Sequence, residues 1–219
     1  MGKADREHER AKKALRAAVA GALKTQARSN GWRAVQGRLF AERDGWFLDV
    51  HAGPWVMKDQ TTAEFRAKPM ALDPLFWEIV KTPDNNKQPL SFRLLGAWTC
   101  QGPYWSETQI TEGVDPDDIA ARILEWSNAQ ADSPPFSYDV NALAKFIEGQ
   151  LEGRGMKGAW LAELVSLLAL AGRLDEARDF CVAAIERGEH GGYSIGPQSF
   201  PELALEWVAN RPPPTKYAN

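Results

Sequence analysis

The chain has 219 residues, 44% of them apolar and 25% charged, which excludes a disordered, collagen-like or fibrous protein and allows one large domain or two small ones. Its net charge of -3 is unevenly spread: residues 1–30 hold 8 basic and 3 acidic side chains, residues 31–100 hold 9 and 8, and residues 101–219 hold 9 and 18. A near-neutral middle and an acidic second half argue against nucleic acid as a partner, because that needs a broad basic face, while the basic N-terminal stretch suits docking on an acidic surface.

Residues 4–29 predict a helix, with Leu15, Val19 and Leu23 at i, i+4, i+8 and Asn30-Gly31 as its stop. A β-rich stretch follows from Trp32 to about Cys100. Its clearest element is the hairpin RLFAERDGWFLDVH, where Asp44-Gly45 is the two-residue loop of a type I′ turn. That turn pairs Leu39 with Val50 and Ala41 with Leu48 on an apolar face. It pairs Arg38 with His51 and Phe40 with Asp49 on a mixed, partly wet face. Thr61–Lys68 predicts a weaker strand, Leu90–Cys100 a better one, and Pro74–Lys81 a short helix capped by Asp73.

Residues 116–129 predict a helix with Asp115 as cap and Pro116 at its first position. The prolines of ADSPPFSY then mark a linker, and helices are predicted at about 139–151, 157–171, 175–187 and 200–210. The third-from-last, residues 157–171, is apolar nearly all round and should be central. The last opens on Ser199 and Glu202, a capping box. The expectation is an α+β fold: a mostly antiparallel sheet of about four strands packed on helices in residues 1–132, a linker at 133–138, an all-helical domain at 139–211 and a tail at 212–219.

Residues 8–137 resemble an uncharacterised bacterial family of α+β domains, through Gly31, Trp32, Gly37, Phe40, the Asp44-Gly45 hairpin, Trp105 and Asp117–Trp126. The resemblance implies a fold and no activity. Residues 161–189 resemble a single tetratricopeptide-like helical hairpin, with Gly172, Ala177 and Ala184 at its small positions, and no second copy follows at the period of about 34 residues.

The chemistry-bearing residues are few. Cys100 and Cys181 stand far apart with no Cys/His cluster, so no metal and no organic cofactor is expected. The opening MGKADREHER lacks the apolar core of a signal peptide and no stretch is long enough to span a bilayer, so a reduced, cytoplasmic protein without membrane partners is expected. The catalytic motifs GxSxG, HExxH and GxGxxG are absent.

His51, Asp49, Arg38 and Arg93 are the candidate catalytic group if the protein is an enzyme. They could share one sheet face, although alternate residues of a strand stand roughly 7 Å apart. Trp55 and Trp105 each follow a Gly-Pro turn and are the candidate binding residues, expected to be partly exposed. His190, in the Gly-rich loop GEHGGYSIG, is expected on a flexible connector. The sequence points to a non-enzymatic, protein-binding module of toxin-neutralising or adaptor type. The alternative is an enzyme or small-ligand sensor with its site near His51.

Overall fold

The computed structural model describes residues 2–55, 60–111, 115–134, 137–152 and 158–211. The chain is an α+β protein that divides into two compact units, residues 1–68 with 103–135, and residues 69–102 with 136–219.

The first unit is built on a five-stranded antiparallel sheet in the order β1 (Arg33–Val35), β2 (Arg38–Arg43), β3 (Trp46–Trp55), β4 (Gln60–Pro69) and β5 (Tyr104–Thr111). Sequential order follows from the turns. Asp44 and Gly45 both take positive φ, 48° and 77°, which matches the right-handed twist of the strands they join. The resulting register pairs Arg43 with Trp46, Leu39 with Val50 and Arg38 with His51, as the sequence predicts. A second turn of the same kind, Gln36-Gly37, joins β1 to β2. Helices α1 (Lys3–Gln26) and α4 (Pro116–Asp132) pack on each other and against the sheet. Asp115 caps α4 by accepting from the Asp117 amide at 2.8 Å. Leu23, Leu39, Leu48, Val50, Phe65 and Ile123 form the buried apolar layer between sheet and helices.

The second unit is helical: α2 (Leu72–Ile79), α3 (Phe92–Leu95), α5 (Val140–Glu152), α6 (Ala159–Leu170), α7 (Leu174–Glu186) and α8 (Phe200–Ala209). Helix α6 is buried without interruption from Leu161 to Ala169 and touches α2, α5, α7 and α8, so it is the central helix its composition predicts. The Ser199–Glu202 capping box starts α8.

The expected strand at Leu90–Cys100 does not form. Hydrogen bonds from Phe92 to Pro89 and from Leu94 to Ser91 wind its start into a turn, and Trp98 at φ 62° ends any extended run. A short, largely apolar run such as FRLL fits a helix turn as well as a strand, and strand parity alone does not separate the two. Trp98 is half-buried, with its carbonyl accepting from Trp77 Nε1, while Trp46 is in the core. Nor is Asp73 the cap of α2: the cap is Ala71, and the Asp73 carboxylate is used elsewhere. The fifth strand, YWSETQIT, escapes the sequence pattern because most of its side chains are polar.

Candidate functional site

Three of the four candidate catalytic residues meet on the sheet. Arg38 Nε donates to Asp49 Oδ1 at 3.1 Å and Arg38 Nη2 donates to Asp49 Oδ2, so the guanidinium takes both carboxylate oxygens in a fork. The two residues lie on adjacent strands one diagonal step apart, because Arg38 is opposite His51 and Phe40 opposite Asp49. Asp49 is 3% exposed. Burial pushes its carboxyl above the ordinary value, against the opposing pull of Arg38 and, more weakly, of Arg66 and Lys68. Lys68 is itself buried and stands over the Phe47 ring, 5.3 Å from its centroid.

His51 is exposed, and among the described residues no hydrogen bond reaches its ring. Desolvation and then the Arg38 charge hold its pKa below the ordinary value, with Glu64 and Asp49 pulling the other way. A general base needs a hydrogen-bonded partner that orients it. Here the one buried carboxylate is committed to arginine, so the cluster can hold two strands in register but provides no Asp–His relay.

Arg93 does not belong to that face. It lies on α3 in the other unit, where Nη1 donates to Asp73 Oδ2 at 2.9 Å and to the Met70 carbonyl at 3.0 Å. The other Asp73 oxygen accepts from the Cys100 amide at 3.0 Å, and Asp73 is fully buried. Glu163 on α6 accepts from the amides of Gln101 and Gly102. Two buried carboxylates thus pin residues 100–102, a structural use of charge with its hydrogen bonds satisfied.

Trp55 ends β3, and its side chain lies outside the described residues. Trp105 is half-buried and stacks on Phe65. The Gly-rich segment around His190 is tied down rather than loose: Ser194–Ile195 and Gln198–Ser199 form a small hairpin, and the Phe200 amide donates to the Tyr193 carbonyl at 2.9 Å. At Gly192 a Cβ would fall 2.8 Å from the Ala159 nitrogen, so close packing of backbone accounts for that glycine. Among the described residues no group of three His, Cys, Asp or Glu could hold a metal ion, and both cysteines are buried and outside any disulfide. No described helix is long and apolar enough to cross a membrane.

The site that sequence reasoning missed is a groove of about 600 Å³ where α1 ends. Its walls are Lys24 from the last turn of α1, Arg28 from the 3-10 turn that follows it, Gly31 and Trp32 from the reversal, and Arg33 and Ala34 from β1. The chain can turn there because Gly31 adopts φ 80°, the left-handed helix-ending conformation, which brings β1 back beside the last turn of α1. Trp32 forms the buried floor and donates through Nε1 to Asn128 Oδ1 at 2.9 Å. Lys24, Arg28 and Arg33 are all exposed, and among the described residues none of them has an ion-pair partner. Among the described residues no carboxylate lines the groove. The signal for it was present in part: a +5 N-terminal stretch, with Lys24 and Arg28 four apart on one helical face. Compared with protein-family models, curated proteins and solved structures, the chain matches none.

Proposed function

We propose that the chain is a non-enzymatic protein-binding module, of adaptor or neutralising type, and that the groove of Lys24, Arg28 and Arg33 is its contact surface. The observation that carries this reading is a contrast. The charges around His51 and around Arg93 are neutralised by their own neighbours. Among the described residues, those lining the groove have no such neighbours. Unpaired like charges held together repel one another, and an acidic partner removes that repulsion while it gains attraction. The acidic residues 101–219 and the overall charge of -3 weigh against a polyanion as long as a nucleic acid.

The test is capture from the source cell by the tagged chain and by the triple variant Lys24→Glu, Arg28→Glu, Arg33→Glu. Specific proteins that survive nuclease treatment and are lost with the variant support the reading. Capture that is unchanged by the variant, or abolished by nuclease, removes it.

A further inference from the structure

Resting on that reading, we infer that the groove takes an extended acidic segment of the partner, which adds as a further strand along the outer edge of β1. Three observations converge on it. The first is position: the strand order β1-β2-β3-β4-β5 leaves β1 at the sheet edge, paired among the described residues with β2 alone. An edge strand presents N–H and C=O groups that another chain can pair with. The second is that the groove includes this edge, since Arg33 and Ala34 are both β1 residues and groove walls. The third is charge. Lys24 and Arg28 stand on the helix side of the groove and Arg33 on the strand side, with no acid among the described lining residues.

These features select among acidic ligands. In an added strand every second side chain points the same way, so Asp or Glu at alternate positions would present carboxylates to Lys24 and Arg28 on the helix side of the sheet. The intervening side chains face the other way, on the side where Arg33 stands opposite Phe40, and a polar or acidic residue suits them. An oligonucleotide satisfies the cations but offers no alternating amide and carbonyl to β1, and three neutralised phosphates give it only weak, salt-sensitive binding. An anionic membrane lacks an apolar anchor here, because the one large apolar side chain of the groove, Trp32, is buried. Measured costs in the groove should be modest per residue, since each cation is exposed to water and screened.

The experiment is fluorescence anisotropy on the full chain with defined probes. These are a short labelled peptide alternating Glu and Thr, its analogue N-methylated at alternate backbone nitrogens, a Lys-Thr peptide, and an oligothymidylate of the same charge. The Glu-Thr peptide should bind, and Lys24→Ala with Arg28→Ala should weaken it about tenfold. N-methylation should abolish binding, and in a labelled protein the peptide should slow exchange of the β1 amides. Equal binding of the methylated peptide would overturn strand addition, and tighter binding of the oligothymidylate would overturn the choice of a protein segment. Binding that sediments as a dimer without any probe would make a second copy the occupant and likewise overturn it. If no peptide binds while the charge-reversed triple variant still loses its cellular partners, this inference fails and the protein-binding reading stands. If that variant keeps its partners, both fall.

Discussion

Trp105 lies face to face on Phe65, with ring centroids 5.2 Å apart and planes 9° from parallel. The same Phe65 receives the edges of Trp32 and Trp126, each 6.2 Å away and near perpendicular. One phenyl ring on β4 therefore gathers three tryptophans, from the groove floor, from β5 and from α4, into a single aromatic cluster. Trp105 is half-buried, so one of its faces works in the fold whatever the other face meets.

Truncating it should therefore lower stability. Trp105→Ala is expected to cost about 2–3 kcal/mol, less than a fully buried tryptophan because half the side chain is already wet. Urea unfolding followed by circular dichroism measures it. A variant with wild-type stability would make Trp105 a surface residue and leave the Phe65 stack without energetic weight.

His51 should titrate below its ordinary value of 6.5. Desolvation is the main cause and the Arg38 charge the second. The folded state then resists protonation, so any contribution from His51 to stability is lost as pH falls through 6.5 toward the lowered folded value. Arg38→Met should raise the midpoint by removing the cation beside the ring. Imidazole NMR shifts across pH 4–8 read both midpoints. A drop on removal of Arg38 would show that the ion pair does not govern this face.

Asp73 should be among the costliest single positions. It is fully buried, its two oxygens bind Arg93 and the Cys100 amide, and Arg93 also covers the Trp77 ring at 5.3 Å. Asp73→Ala leaves a nearly buried guanidinium without its carboxylate and is expected to cost about 3–5 kcal/mol. Adding Arg93→Met to that variant should recover part of the loss, because it removes the stranded charge. A double variant as damaged as the sum of both singles would mean that the two residues do not act together.

Two glycines should respond with opposite signs. Gly21 lies mid-helix in α1 with open space where a Cβ would go, so Gly21→Ala should stabilise by up to about 1 kcal/mol. Gly192 sits at φ 77° with its Cβ direction blocked by backbone, so Gly192→Ala should cost about 1–3 kcal/mol. Melting temperatures of the two variants should bracket the wild type.

The hairpin of β2 and β3 could be read residue by residue, because Asp44-Gly45 admits one turn type and that turn sets every pairing from Arg43–Trp46 to Arg38–His51. The caps at Asp115 and Ser199 are equally legible, since each places a capping side chain at a helix start. What stayed hidden depends on distant residues. Strand parity puts Arg93 on a sheet face, whereas its position is decided by Asp73, twenty residues earlier in the chain. The groove needs Gly31 to reverse the chain so that Arg33 returns beside Lys24 and Arg28. Sequence shows the three charges but not their convergence, nor that the other basic residues of the sheet find partners.

The most direct test of the binding surface is site-specific photo-cross-linking in the source cell. A photoreactive amino acid is placed at Ser29, exposed beside Arg28, or at Glu42, exposed on the His51 side of the sheet. The Ser29 probe should give a discrete protein adduct that disappears when Arg28→Glu and Arg33→Glu are added, and the Glu42 probe should give none. An adduct from Glu42 with none from Ser29 would contradict the assignment of the groove as the surface this protein uses.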